Sequence, residues 1–175
     1  MEVYEAIKGR RSIRKFTDRA IEKETLKKII EAATYAPTAH NQQPWDFIVT
    51  QEASKKEALA EGHRFARFVP DADTAVIVCS PLKVEKPAHI GPACIQHFDV
   101  QDTAAAIQNL MLAAHAEGIG SCWIGDYNED SVKDIFDIPK EYGVMAVIAM
   151  GYPAHQPKGS RKRRSLDDVI HFEKF

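Results

Sequence analysis

The sequence predicts an α+β fold in which a long apolar helix packs against a central mixed sheet. Two short, uninterrupted apolar runs, at 75–79 and 144–150, are typical of strands covered on both faces. Between them, residues 102–117 form a proline-free segment that is apolar almost all round, which indicates a centrally packed helix. Helical and strand patterns do not alternate regularly, which disfavours a doubly wound parallel fold.

Two helices are predicted before the first strand. Val3, Tyr4 and Ile7 place apolar groups on one face of a short first helix. Residues 26–33 carry the i, i+3, i+4, i+7 apolar spacing of a core-facing helix. This second helix should end near Pro37, because the residue before a proline disfavours the α region.

The remaining elements follow from similar local patterns. Gly118 is suited to end the long helix, since glycine adopts a left-handed backbone at low cost. The others are a loop over 38–44, a strand over 47–49, a polar helix over 54–62, a strand over 122–124 and a helix over 130–136. The last 25 residues contain breakers, a basic run and an apolar end, which predicts a tail that docks on another surface.

Composition predicts one globular domain, residues 1–175, able to bury roughly 70% of its unfolded surface. The net charge of −2 gives no general attraction to nucleic acid or membrane. Basic residues near the start of the sequence interrupt any apolar run that would resemble a signal peptide. No run reaches the roughly 20 apolar residues that a membrane helix requires. Three cysteines without a CxxC pair favour reduced thiols and a cytoplasmic location.

Three guanidinium groups lie within five residues, at Arg10, Arg11 and Arg14. Such a cluster repels itself unless water or an anion compensates it, and arginine's planar donors suit phosphate oxygens. The cluster therefore lines an anion site or forms a solvated charged turn, and the residues alone leave both open.

Two loops carry further candidates. Residues 36–45 combine two prolines with amide side chains that can recognise a heteroaromatic edge, although an ordered helix-to-strand connection also fits. The glycines over 118–125 lack the strand-then-helix context of a Rossmann site. They indicate either a strand approached closely by a flat ligand or a simple chain reversal.

A metal site at Cys79, His89, Cys94 and His97 is disfavoured, because the spacings match no standard zinc pattern and Cys79 lies in an apolar strand. A nucleophilic Cys94–His97 pair has no supporting acid or oxyanion loop in the sequence. We therefore predict no metal ligand and no protein nucleophile.

Four segments, in this order, resemble the FMN-dependent nitroreductase family. They are 10–16, 36–45, 102–110 continuing into 118–121, and 147–153. The resemblance spans nearly the whole chain. It implies a mainly antiparallel central sheet flanked by helices, an extended C-terminal arm, and a homodimer with FMN in two clefts at the subunit interface.

The resemblance also implies which residues contact FMN. Contacts within one subunit are expected at Arg10, Arg11, Ser12, Arg14, Trp123, Ile124, Gly125, Lys162 and Arg164, and contacts from the other subunit at Pro37, Thr38 and Asn41. Arg10 is expected near the phosphate, Arg14 near the flavin ring and 123–125 along the ring. Arg161 and Arg163 are the alternative register of the basic tail.

By resemblance, the protein is an oxidoreductase that passes hydride from NADH or NADPH through FMN to a nitroaromatic, quinone or flavin acceptor in ping-pong turnover. The flavin supplies the chemistry, so no catalytic side chain is named. A non-catalytic flavin-binding or flavin-storage protein would need the same residues, and relatives with other flavin chemistry dehalogenate substrates or fragment flavin. A nucleic-acid contact at 161–164 is disfavoured by the near-neutral net charge.

Overall fold

The computed structural model describes residues 1–61, 63, 65–82, 98–155, 157, 159 and 161–175. The helices in this part of the chain are α1 (Val3–Gly9), α2 (Lys23–Thr34), α3 (Ala53–Ala60), α4 (Phe98–Ala116) and α5 (Glu129–Phe136). The strands are β1 (Asp46–Thr50), β2 (Thr74–Pro81), β3 (Gly120–Ile124) and β4 (Tyr142–Gly151). A short 3-10 helix, Ala39–Asn41, lies between α2 and β1. Among the helices described, none combines the length and the apolar character needed to cross a bilayer.

The four strands form one sheet in the order β1-β2-β4-β3, and each pairing is antiparallel. The two long apolar strands, β2 and β4, lie at the centre, as their continuous apolar character predicted. Ile77 pairs with Val147 near the middle of this ladder. The predicted α+β fold with a mainly antiparallel sheet is confirmed.

Both faces of the sheet are covered. Val76 and Ile148 face the layer formed by α2 and α4, whereas the neighbouring pair Ile77 and Val147 packs with residues of α3 and α5. All four are at most 2% exposed. Each such side chain stabilises the fold by about 1.5–3 kcal/mol relative to an exposed one. This two-sided burial explains why the strands show no alternation of apolar and polar residues.

The central helix α4 packs through small and branched residues. Ile107, Leu110 and Ala114 have no exposed surface. Gly118 follows the helix with φ of 75°, the left-handed conformation predicted for the residue that ends it. The stripe predicted for α2 is also buried at 26, 29 and 33.

Two apolar surfaces face outward. On α1, Val3, Tyr4 and Ile7 are 60%, 72% and 50% exposed, and only Ala6 of this helix is buried. Residues 161–175, hereafter the arm, form no helix or strand and are exposed throughout. The apolar face predicted for the first helix is therefore present but does not face the core of this chain.

Candidate cofactor site

Residues 10–17, hereafter the arginine segment, lie across the ends of β3 and β4. The Ile13 N–H donates to the Ser121 carbonyl at 2.9 Å, and the Thr17 N–H donates to the Tyr152 carbonyl at 2.8 Å. Ser12 also forms a parallel bridge with Ser121. Backbone pairing therefore fixes the position of the arginines relative to the sheet, so they do not form a free turn.

Two glycines permit this close packing. A Cβ on Gly120 would lie 2.6 Å from the Ile13 side chain, and a Cβ on Gly9 would lie 2.8 Å from Nε2 of His115. Real Cβ atoms essentially never approach so closely. The sequence suggested that a flat ligand approaches the backbone at these glycines. At Gly120 the group that approaches closely is the side chain of Ile13.

A pocket of about 240 Å³, hereafter the inner pocket, opens beside the start of the arginine segment. It is lined by Met1, Gly9, Arg10, Arg11, Ile13, His115, Gly118, Ile119, Gly120, Ser121, Pro153 and Pro157. Arg10 Nε and Ser121 Oγ are buried and have no hydrogen-bond partner within the described residues. Such groups normally have partners, so a polar ligand or water is expected here.

His115 adds a titratable group to the inner pocket. Burial lowers the pKa of its imidazole below the usual value, and the nearby Arg10 guanidinium lowers that pKa further. His115 is therefore predominantly neutral at neutral pH, and the fixed positive charge comes from the arginines.

A wider groove of about 510 Å³, hereafter the basic groove, shares Gly9, Arg11 and Pro157 with the inner pocket. Its lining is Ile7, Lys8, Gly9, Arg11, Pro157, Gly159, Arg161 and Arg163. Four cations and no carboxylate are among these described lining residues. The Arg11 guanidinium donates to the Gly159 carbonyl, which holds the chain before the arm against the arginine segment. The groove is therefore suited to an anion.

The other end of the segment meets aromatic side chains. A pocket of about 240 Å³, hereafter the aromatic pocket, is lined by Arg14, Phe65, Phe68, Cys122, Trp123, Ile124, Gly125 and Asp126. The Arg14 guanidinium lies 5.8 Å from the centroid of the Phe68 ring. Among the described residues, a Cβ on Gly125 would meet only Nε1 of Trp123, at 4.0 Å. This end therefore offers aromatic surface beside a cation.

Cys122 lines the aromatic pocket together with Arg14. Its thiol donates to the Trp123 carbonyl at 3.7 Å. Burial raises the pKa of this thiol and the nearby Arg14 guanidinium opposes that rise, so the buried thiol is protonated at neutral pH. In β2, burial likewise raises the pKa of Cys79, to about 11. His89, Cys94 and His97 lie outside the described residues.

The loop after α2 is held rigidly and lies apart from these pockets. The buried Asp102 carboxylate accepts the Ala39 N–H at 3.2 Å, and Thr38 Oγ1 accepts the Gln43 N–H at 3.1 Å. Burial raises the pKa of Asp102. Three residues of the loop, His40, Asn41 and Gln43, have left-handed φ values of 49–56°. Such backbone strain is typical of functional loops.

The cations that the arm places in the basic groove are not Lys162 and Arg164, the pair expected first from the family resemblance. Arg161 and Arg163, the alternative register, line the basic groove, whereas Lys162 and Arg164 do not. The Arg164 guanidinium instead donates to the Asp168 carbonyl at 2.6 Å.

The structure thus places most of the sequence-predicted residues of one subunit on the arginine segment or in the pockets that it lines. Arg10 and Arg11 lie at the cationic end of this segment, Ser12 at its middle, and Arg14 with 123–125 at its aromatic end. Pro37, Thr38 and Asn41 line none of these three pockets. Sequence reasoning missed Lys8, Phe65, Phe68, His115 and Ser121 as lining residues. Only Ser121 had a signal, its place directly after the glycines.

Comparisons with known proteins agree on one family. A model of the nitroreductase family matches residues 7–72 and 71–152. A relative from Methanothermobacter thermautotrophicus, named as a candidate NADH dehydrogenase/NAD(P)H nitroreductase, is 42% identical over 100% of this chain and 88% of its own length.

Solved structures show the same likeness. A nitroreductase family protein from Clostridium difficile has a TM-score of 0.85 and 30% identity, covering 100% of both chains. A candidate nitroreductase from Desulfovibrio desulfuricans, solved in complex with FMN, has a TM-score of 0.79 and 31% identity, covering 100% of this chain and 98% of its own.

Proposed function

The chain belongs to the nitroreductase family of oxidoreductases, and on that premise we propose that it binds FMN along the arginine segment and oxidises NADH or NADPH. The observation that carries the proposal is the set of three pockets lined by the arginine segment. They are a groove of four cations, a pocket with the unpartnered Arg10 Nε, and an aromatic pocket beside Arg14. A mononucleotide with an anionic head and a flat ring has the complementary chemistry.

The cationic end fits the phosphate. A phosphomonoester carries about −1.5 to −2 charges at neutral pH and three acceptor oxygens. Arg10, Arg11, Arg161 and Arg163 would hold it through charge-assisted hydrogen bonds, with the Ser12 hydroxyl beside them. Arg10 Nε, a buried donor without a partner in the described chain, would gain one.

The aromatic end fits the flavin ring. Trp123 is 38% exposed and offers apolar surface, and the open space at Gly125 lets a ring approach the backbone. Arg14 would place its positive charge beside the ring. That charge favours electron transfer to the flavin, because added electron density is stabilised by a nearby cation.

When bound, FMN accepts a hydride from NADH or NADPH and, in a second half-reaction, reduces a nitroaromatic, quinone or flavin acceptor. The described side chains orient the cofactor and neutralise its phosphate. We assign no protein nucleophile, and protons come from solvent.

We further propose a homodimer in which the loop at 37–41 completes the site of the other subunit. Pro37, Thr38 and Asn41 line none of the three pockets within one chain. In the dimer they would contact the FMN of the other subunit. Two outward apolar surfaces support a second copy as partner. They are the α1 face and the arm, where Phe172 is 84% exposed. The mass of the native protein in solution tests this assembly.

Three measurements test the cofactor and the activity. The purified protein should be yellow and release a mononucleotide when denatured, and Arg10→Ala should lose most of this colour while remaining folded. NADH or NADPH should bleach the bound flavin, and a quinone should restore its absorption. Bound flavin that neither nicotinamide bleaches would indicate a flavin-storage protein instead, and a colourless protein that binds no added FMN would refute the cofactor proposal.

A further inference from the structure

We propose that His115 is a further phosphate-binding residue, and that its imidazole takes up one proton from solvent when a phosphomonoester dianion enters the inner pocket. The inference rests on the proposed function and extends it. It names a binding residue outside the segments that carry the family resemblance, and a coupling between cofactor binding and pH.

The position of His115 is fixed by packing. It lies in the last turn of α4, and its Nε2 lies where a Cβ on Gly9 would come within 2.8 Å. The imidazole therefore abuts the backbone at the end of α1, directly before Arg10. From there it lines the inner pocket together with Arg10 and Ser121.

The inner pocket is polar and incompletely satisfied. Arg10 Nε and Ser121 Oγ are both buried there without a partner in the described chain, and Ser121 is only 1% exposed. Packing of His115 on Gly9 explains the glycine but not these two atoms. A ligand with several acceptor oxygens would satisfy both.

The electrostatics lack a negative partner. The charged side chains that line the inner pocket with His115 are those of Arg10 and Arg11, and no carboxylate is among the described lining residues. Burial and Arg10 both lower the pKa of His115, so the imidazole is mostly neutral in the free protein. A dianion reverses this balance, because it stabilises the imidazolium and adds an acceptor.

The sign of the pH effect follows. Binding raises the pKa of His115 from below its usual value, so the bound form holds one more proton between the free and bound pKa values. FMN affinity should therefore fall as pH rises through the bound pKa. The second ionisation of the phosphate, near pH 6, acts in the opposite direction at lower pH, so the measurement belongs between about pH 6.5 and 8.5.

The experiment is calorimetric titration of FMN into flavin-free protein in two buffers of different ionisation enthalpy, with riboflavin as the ligand that lacks the phosphate. His115→Gln keeps a polar side chain of similar size but does not titrate. His63→Gln is the matched control, because His63 accepts from the Asn128 N–H and does not line the inner pocket.

We expect the wild type to take up a fraction of a proton with FMN and none with riboflavin. His115→Gln should lose this uptake and bind FMN about tenfold or more weakly at pH 6.5, as expected for one hydrogen bond to a charged group, with riboflavin affinity unchanged. Ser121→Ala should weaken FMN binding without removing the uptake, and His63→Gln should match the wild type.

Two results would overturn the inference. One is FMN binding by the wild type without proton uptake, which is decisive even if His115→Gln does not fold. The other is an equal loss of FMN and riboflavin affinity in His115→Gln, which would assign a purely structural role. Failure of the proposed function looks different, because the wild type would then bind neither flavin.

Discussion

Gly120→Ala tests whether the arginine segment is held by its packing on β3. The added Cβ would lie 2.6, 2.8 and 3.0 Å from three side-chain atoms of Ile13, so either the strand or the segment must move. Overpacking of this kind costs about 1–3 kcal/mol. Alanine also recovers about 0.5–1 kcal/mol of the entropic penalty of glycine in a strand. The difference spans about 0–2.5 kcal/mol, and the severity of the 2.6 Å approach favours a loss of about 1–2 kcal/mol in the free energy of unfolding.

For a chain of this size, that loss lowers Tm by about 2–8 °C. Because the segment carries Arg10 and Arg14, the same displacement should weaken FMN binding. Urea unfolding, followed by circular dichroism, measures the first effect, and fluorescence titration with FMN measures the second. Gly125→Ala is the matched control for stability, since within the part of the chain that the structure describes its Cβ would have one neighbour, at 4.0 Å.

A double-mutant cycle isolates the contact. Ile13→Gly alone removes half-buried apolar surface and destabilises the fold, but in its presence the Gly120 substitution no longer meets the three Ile13 side-chain atoms. The two substitutions should therefore be coupled by about 1 kcal/mol or more. Additive effects, or a Gly120→Ala protein as stable as the wild type, would refute the packing argument.

Three further predictions concern the arm, a buried amine and a buried acid. Arg163→Ala should weaken FMN binding more than Lys162→Ala and reduce its salt dependence, because only Arg163 lines the basic groove; equal losses in fluorescence titrations would contradict this register. Lys56→Met should lower the free energy of unfolding by about 1–3 kcal/mol in urea titrations, because the buried Nζ donates to two backbone carbonyls, at 2.6 and 3.0 Å. Because the pKa of Asp102 is raised in the folded protein, the free energy of unfolding should grow as pH falls through that folded pKa toward 3.8. Asp102→Asn does not titrate but can still accept the Ala39 N–H. This variant should therefore show a flatter pH dependence of stability in that range, without loss of stability at pH 7. An unchanged pH profile in that variant would contradict the assignment.

The sheet could be predicted because its central strands are buried on both faces. Continuous apolar runs at 75–79 and 144–150 follow directly from that burial, and the apolar helix α4 follows from its contact with one face. The order β1-β2-β4-β3 could not be derived from these runs, since pairing depends on contacts between distant residues. The outward face of α1 could not be distinguished from a core face either, because the amphipathic pattern records only that one side is apolar.

The site likewise contains residues that the sequence could identify and residues that it could not. The cluster of Arg10, Arg11 and Arg14 is local in sequence, so the chain itself shows its chemistry. His115 and Arg10 are distant in sequence and meet only in the folded chain, and a single histidine near the end of a helix has no local feature that identifies it. The register of the arm was ambiguous for another reason. Four consecutive cations, 161–164, cannot be distinguished by spacing until the backbone direction decides which pair faces the groove.

The arginine segment has two physical roles, and each explains the other. β3 is an edge strand of five residues, and an unpaired edge exposes backbone donors and acceptors that invite unwanted pairing. The Ser12–Ser121 bridge and the Ile13 N–H bond cover part of this edge. A covering strand with apolar side chains throughout would close the sheet but leave no anion site. The observed segment pairs through its backbone and packs through Ile13, while Arg10 and Arg14 line pockets at its two ends. Edge protection therefore fixes the backbone that carries the cations before any ligand binds, and a ligand that engages both arginines should also stabilise the edge of the sheet.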